Sequence, residues 1–352
     1  MENPLGRRLR EQPGPVLLTG HTGFKGTWMT FLLEHLNVPV VGYSLPAEKD
    51  SLYDRANRKD AIPEVFADIR NYEELEKFIS EHKPSTIIHM AAQPLVLKSY
   101  ERPRETFDVN VMGTVNVLDI AFKKDFIKAI IVVTTDKVYR NADSVQAFVE
   151  TDPIEGKDPY SASKVGTEAV VAAWQQIAKL SGGPKLLSVR AGNVIGGGDW
   201  ANNRLLPDLV KSKFFSQKTV IRNPKNTRPW QHVLDPLLGY LLAIESMLSA
   251  NLNVFALNFG PEGKSLKVSE VTEIVFSRDE LQGKIVEEVS AGKDYEAPTL
   301  SLDSNLARIT VGFKPKFTQE EAIAMTINWW DSVVHGEEIF SACSQDILRI
   351  LN

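Results

Sequence analysis

Cysteine is almost missing from this sequence. Among 352 residues only Cys343 occurs, so no disulfide can close within one chain, as suits a reducing cytoplasm. No apolar run reaches the roughly 18 residues that a bilayer-spanning helix needs. Positive charge is not in excess. Forty Lys and Arg stand against 45 Asp and Glu, a formal net charge of -5, which argues against nucleic acid or an anionic membrane as partner. The six histidines are scattered, so no metal-site spacing exists. The polar start, residues 1–15, carries Arg7-Arg8 with no long apolar segment after it, and reads as a short arm, not a signal peptide. Repeats, low-complexity tracts and clear linkers are also lacking. What remains is 43% hydrophobic and 24% charged, ordinary for a cytoplasmic globular protein of enzyme size.

Apolar, β-branched runs alternate with segments of helical period. Val16–Thr19, Val38–Tyr43, Thr86–His89, Ala129–Val133 and Leu186–Val189 read as strands. Helices are predicted at about Gly26–Leu36, Tyr72–His82, Val111–Phe122 and Ser161–Leu180. Buried strands separated by helices require a parallel sheet covered on both faces. The expected fold is therefore α/β, a Rossmann-type doubly wound parallel sheet with a smaller mixed α/β substrate lobe. After Arg190 the texture turns irregular, with Gly196-Gly197-Gly198 and frequent Pro, Asn and aromatics, before a strand-like run at Val254–Phe259. Residues 1–190 with a return segment at about 226–262 are assigned to the dinucleotide-binding domain. About 191–225 and 263–352 are assigned to the substrate lobe.

The first strand runs into Gly20-His21-Thr22-Gly23-Phe24-Lys25-Gly26 and then a helix. Glycines at such a turn let backbone approach a pyrophosphate, and the helix N-terminus offers amides and partial positive charge. The spacing is G-x-x-G-x-x-G, not G-x-G-x-x-G. At the end of the second strand stand Tyr43 and Ser44, with no carboxylate before Glu48 and no arginine, which leaves NAD and NADP both open. Asp68 and Ile69 follow the third strand. Asp68 reads either as a partner for an adenine amino group or as a solvated loop residue.

Tyr160 and Lys164 stand at i and i+4, on one helical face. A cation there stabilises tyrosinate and draws the phenol's pKa down toward neutrality. The tyrosine can then take a hydroxyl proton as hydride leaves. Upstream, Val133-Thr134-Thr135-Asp136-Lys137 closes a strand. Thr135 is a candidate hydrogen-bond partner for the same hydroxyl, while Asp136 and Lys137 form either an exposed salt pair or a second acid/base pair. Ala91, Ala92, Gln93 and Asn110 fit the nicotinamide side, and His89 reads as a core residue.

Together these residues resemble the extended short-chain dehydrogenase/reductase family over nearly the whole chain, and within it the nucleotide-sugar 4,6-dehydratases that act on CDP-glucose. The most specific stretches are Arg190-Ala191-Gly192-Asn193-Val194-Ile195-Gly196-Gly197-Gly198-Asp199-Trp200 and Arg228-Pro229-Trp230-Gln231-His232-Val233. Lys25 is a further mark, since relatives commonly have an apolar residue there. The resemblance implies a bound NAD and a self-contained redox cycle. Tyr160 and Thr135 oxidise the 4-hydroxyl, Lys137 removes the 5-proton and Asp136 protonates the departing 6-hydroxyl. Lys137 would have to be neutral, through burial beside Lys164 and oxidised nicotinamide. The resemblance also implies cofactor contacts from Gly20, Thr22, Gly23, Phe24, Lys25, Gly26, Tyr43, Ser44, Asp68, Ile69, Ala91, Ala92, Gln93, Asn110, Tyr160 and Lys164. Substrate contacts fall to Gln93, Asn193, Arg204, Leu205, Arg228 and Gln231, with Arg228 as diphosphate clamp. A homodimer or homotetramer is implied, paired through the helices at Val111–Phe122 and Ser161–Leu180.

The chain departs from the family pattern at Thr135, which stands for serine, and in the tryptophan-free loop from Ala142 to Val149. Glu155-Gly156-Lys157-Asp158 before Tyr160 is also altered. A nucleotide-sugar 4-epimerase, a dehydratase for another hexose and a non-catalytic NAD(P)-binding regulator are the competing readings. Asp136-Lys137 speaks against the epimerase. The set Tyr160, Lys164, Thr135 and Asp136 speaks against the regulator.

Overall fold

The computed structural model describes residues 4–141, 147–201, 204–249, 252–276, 285–288 and 300–352. Part of the loop from Ala142 to Val149 therefore lies outside the described residues. Six early strands, β1 (Val16–Thr19), β2 (Val40–Ser44), β3 (Glu64–Phe66), β4 (Thr86–His89), β5 (Ala129–Val133) and β6 (Lys185–Ala191), join the strand Ala256–Phe259 in one sheet. Every pairing in it is parallel, and the order is Ala256–Phe259, β6, β5, β4, β1, β2, β3. β1, β4 and β5 are buried at every residue, because helices cover both faces. The expected doubly wound α/β sheet is what the chain forms.

One face is packed by the helices Phe24–His35, Leu234–Ser249 and Ile339–Leu351, the other by Tyr72–His82, Gly113–Phe122 and Pro159–Ser181. The chain leaves β1 toward β2 and β3, then returns on the far side through β4, β5 and β6. The switch point therefore lies between the C-terminal ends of β1 and β4, where this architecture binds ligands. The loops there touch: a Cβ on Gly20, whose φ is +77°, would lie 2.8 Å from the Ala91 nitrogen.

A smaller core joins Leu206, Leu209, Ile221, Trp230, Val271 and Ile323. Its strands are short two-stranded ladders. Trp230–His232 lies parallel to Asn193–Ile195, and Leu266–Lys267 antiparallel to Thr227–Arg228. The last helix, Ile339–Leu351, leaves this core and returns to the sheet, where Phe340 meets Phe31 edge-on at 5.7 Å.

Two helices carry local devices that matter for the site. The predicted helix at Val111–Phe122 begins instead with a π-helical turn, Asp108–Met112, and continues as Gly113–Phe122. Such widened turns re-aim side chains; here the buried Asn110 donates to Gln93 O at 3.1 Å and to Ser163 Oγ at 2.8 Å. Pro159–Ser181 starts from a capping box, Asp158 with Ser161, with Pro159 in its first turn. That combination fixes where the helix begins, and so the height of Tyr160 above the sheet.

Candidate active site

The phosphate loop is shaped as a pyrophosphate cradle. Gly23 caps the helix Phe24–His35 without any side-chain cap hydrogen bond, so the first-turn amides have no local acceptor and suit an anion. A Cβ on Gly26 would fall 2.1 Å from Gly20 O, so only glycine lets the loop close on the helix. The buried His21 Nε2 lies 2.6 Å from Glu64 Oε2, and Tyr53 donates to the same carboxylate. Room for that ring exists because residue 42 is glycine: a Cβ there would sit 2.6 Å from His21 Nδ1. The sequence reading missed this seat; three residues distant in sequence converge only once β2 and β3 pair.

The other expected cofactor residues divide by what their side chains do. Thr22 Oγ1 and Ser44 Oγ meet at 2.8 Å at the end of β2. The Tyr43 ring is buried in the core and donates to Asp68 O at 3.1 Å, so only its backbone faces the crevice edge. Ile69 is likewise a core residue. The Asp68 carboxylate is occupied by Arg70, at 2.6 Å, which holds its pKa below the usual range. Ala91 N is anchored by Thr19 Oγ1 at 3.2 Å. Gln93 donates to Leu95 O and Thr106 Oγ1 and accepts from Leu95 N. It holds the loop after β4 and leaves neither amide hydrogen for a sugar. His89 is neutral in the core between Thr19 and Thr114, its pKa pushed down to about 3 by burial and by Lys164.

At the end of β5 the expected catalytic residues converge. Thr135 Oγ1 donates to Asp136 Oδ1 at 3.0 Å, and Lys137 Nζ reaches the same oxygen at 3.2 Å and Asn193 Oδ1 at 3.4 Å. Asp136 is fully buried, and its other oxygen, Oδ2, has no hydrogen-bond partner. A Cβ on Gly192 would crowd that oxygen at 3.2 Å. Lys25 and Arg204 add positive charge to this centre. Burial, with the charges of Lys164 and Arg204, pushes the Lys25 pKa down to about 7. Arg204 also pairs with Asp199 at 3.1 Å.

Two expectations need correction. The Tyr160 phenol is not drawn down but pushed up to about 12 by burial, with the Thr135 hydrogen bond pulling the other way. Lys164 donates to Val133 O at 3.1 Å, and its own pKa is lowered to about 8 by burial. One of the three donors of the ammonium is thus engaged by a carbonyl. Nor is Lys137 buried beside Lys164; its side chain is 34% exposed and ion-paired with Asp136.

The remaining substrate candidates are spread over the lobe. Arg228 is buried and donates to Thr227 O at 2.8 Å. Leu205 opens the helix Leu205–Phe215. Gln231 is 1% exposed and donates to Phe259 O at 2.9 Å. Among the described residues no group of three or more His, Cys, Asp or Glu could hold a metal ion, and no helix is long and apolar enough to cross a membrane.

Residues 17–326 match the family model described as GDP-mannose 4,6 dehydratase. The chain belongs to that family. Within this dehydratase family, the CDP-glucose 4,6-dehydratase of Salmonella typhimurium is 38% identical over 341 residues, covering 94% of each chain. The dTDP-glucose 4,6-dehydratase of Streptomyces venezuelae, solved with NAD, superposes with a TM-score of 0.79 at 22% identity, over 93% of this chain and 99% of that one. A UDP-glucose 4-epimerase from Thermotoga maritima shares the fold at a TM-score of 0.77 and 20% identity, over 91% of this chain and 99% of that one. The fold is thus common to dehydratases and epimerases, and the family's chemistry has to be read from its side chains.

Proposed function

We propose that the chain is an NAD-dependent nucleotide-hexose 4,6-dehydratase, a hydro-lyase that converts CDP-glucose to CDP-4-keto-6-deoxyglucose and water. The observation that carries this reading is Asp136. It is a fully buried carboxylate with one oxygen held by Thr135 and Lys137 and the other unpartnered, as an acid serving a leaving hydroxyl requires. An epimerase has no use for an acid/base pair at the 5- and 6-positions. Identity of 38% to the Salmonella enzyme supports the same substrate.

The phosphate loop and the glycines at Gly20, Gly23 and Gly26 fit a dinucleotide. The Thr22–Ser44 pair at the end of β2 carries neither the carboxylate nor the arginine that would choose between NAD and NADP, and NAD is supported by the related dehydratase structures that hold it. A bound NAD would supply the redox half of the cycle, reversible hydride transfer. Tyr160, with Thr135 beside it, would take the 4-hydroxyl proton as tyrosinate, a form that burial disfavours in the chain alone and that the positive charges of Lys164 and of oxidised nicotinamide would favour. Transfer of the ammonium proton across the 3.2 Å contact to Asp136 leaves Lys137 neutral and Asp136 protonated. The 4-ketone acidifies the 5-proton, which the neutral Lys137 then removes, and Asp136 gives its proton to the 6-hydroxyl as it leaves as water. Asn193 orients Lys137, and Arg204 and Arg228 supply positive charge for the diphosphate.

The sheet with its covering helices forms the dinucleotide-binding domain and the third core the sugar lobe, with the final helix returning to the former. The exposed Leu97, Tyr100, Phe107 and Met112, with Ile177 and Leu180 on the Pro159–Ser181 helix, support a homodimer. The single cysteine suits a cytoplasmic setting.

The test is turnover of CDP-glucose in heavy water, followed by mass spectrometry. A dehydratase gives a product lighter by one water with solvent deuterium at the 5-position; an unchanged mass would mean epimerisation. Lys137→Met should lose deuterium uptake altogether. Exchange that persists in that variant assigns the base elsewhere.

A further inference from the structure

Tyr160 and Lys164 are the first two members of a series that the same helix continues. Glu168 stands one turn beyond Lys164, at the same spacing and on the same face. It is buried, as are Lys164 and Tyr160. Each of the three meets a different residue at the end of β5 or just beyond it. Tyr160 meets the Thr135 hydroxyl, Lys164 donates to Val133 O at 3.1 Å, and Glu168 Oε1 accepts from Thr134 Oγ1 at 2.6 Å. Glu168 is also gripped from β6, by Ser188 Oγ at 2.7 Å and by Arg190 through two nitrogens at 2.9 Å each. Arg190 is fixed in turn by Glu150 O at 3.1 Å and by Tyr139, whose hydroxyl accepts at 2.9 Å.

We propose that Glu168 is a positioning residue for the dehydratase reaction. Its carboxylate fixes the Val133–Thr135 segment through Thr134 and keeps the neighbouring Lys164 cationic. This rests on the reading of Tyr160 and Lys164 as catalytic machinery.

A buried ammonium whose hydrogen bond, among the described residues, is to a carbonyl loses its proton readily. Burial lowers Lys164 to about 8, and the charge on Glu168 is what holds it from falling further. Glu168 stays ionised in spite of its own burial because Arg190, Thr134 and Ser188 all donate to it. Arg190 therefore keeps the carboxylate charged.

Removing the charge of Glu168 while keeping its shape separates an electrostatic role from a merely structural one. The readout is the alkaline limb of kcat/KM, which reports groups in the free enzyme, measured on the cofactor-loaded enzyme. Glu168→Gln keeps the shape and removes the charge, so the limb should move down by at least half a pH unit with KM within about twofold. Glu168→Asp keeps the charge, and the limb should stay near that of wild type. If Glu168→Gln does not fold, judged by circular dichroism, the double variant Glu168→Gln with Arg190→Met, which leaves neither charge, carries the test with the same expected direction. A limb that stays put or moves up in the variant that folds overturns the proposal. Failure of the wild-type protein to convert any nucleotide-hexose would sink the reaction instead. The role of Glu168 would then be read from the pH dependence of Lys164 labelling by an amine reagent, in wild type against Glu168→Gln, an identical titration in the two overturning it.

Discussion

Two buried polar clusters lie on opposite faces of the sheet and treat charge in opposite ways. Between β6 and the helix Pro159–Ser181, Glu168 and Arg190 are both ionised, and each carboxylate oxygen has a donor. Under the final helix, His232 Nε2 and Asp346 Oδ2 face each other at 3.8 Å, too far for a hydrogen bond, and neither atom has another partner. Burial pushes His232 down to about 3 and Asp346 up to about 7. The first cluster keeps its charges because it surrounds them with donors. The second keeps its groups neutral because it does not. Burial alone therefore does not decide ionisation; the count of directed partners does.

The largest expected effect breaks the first cluster. Arg190→Met strands a buried carboxylate and should cost ~3–5 kcal/mol in a urea unfolding experiment. Adding Glu168→Leu should restore much of that loss, since a neutral pair of similar volume needs no partners. If the single variant unfolds at the wild-type midpoint, the ion pair is not what holds β6 to the catalytic helix.

A middle-sized effect of opposite sign belongs to the second cluster. Asp346 has a folded pKa near 7 against about 3.9 in an unfolded chain. Between these values the folded state binds the extra proton, so this residue's contribution is full below about pH 4 and is lost as pH rises toward 7. Asp346→Asn cannot ionise. Its unfolding free energy should match wild type at pH 4, rise above it through the interval and exceed it at pH 8 by up to about 4 kcal/mol. His232 works the other way: its depressed pKa favours folding above about pH 6.5 and opposes it as pH falls toward 3. Equal stability of Asp346→Asn and wild type at pH 8 would mean that water reaches the carboxylate.

How much of this was visible in the sequence depends on whether the deciding contacts are local. β1, β4 and β5 appear at the predicted residues, because each is a continuous apolar run bounded by polar turns. The convergence of Thr135, Asp136 and Lys137 follows from their adjacency. Lys164 was placed on the right face by its spacing, but its hydrogen bond to Val133 was not visible, since it depends on how deep the helix sits. Glu168 could have been found by extending the i, i+4 step once more. Arg190 could not, because only sheet pairing brings it to Glu168. The two-residue ladder at Thr227–Arg228 and the π-helical turn at Asp108–Met112 have no periodicity of their own. Gln93 and Gln231 have their amide nitrogens occupied by the backbone of neighbouring loops, a competition that a motif does not display.

The smallest effect tests whether surface charges obey the same rule as buried ones. Arg140 Nε lies 2.5 Å from Glu155 Oε2, a contact shorter than most of those within the first cluster, yet the two side chains are 59% and 51% exposed. Water already solvates both charges there, and salt screens what attraction remains. Arg140→Ala should therefore shift unfolding by under about 0.5 kcal/mol, and 0.5 M salt should erase the shift. Glu155 nevertheless lies just upstream of Tyr160, in the segment that departs from the family pattern. A change in KM for the nucleotide sugar with no change in stability would place Arg140 among the substrate contacts. A loss of stability approaching that of Arg190→Met would break the comparison, because proximity would then matter more than desolvation.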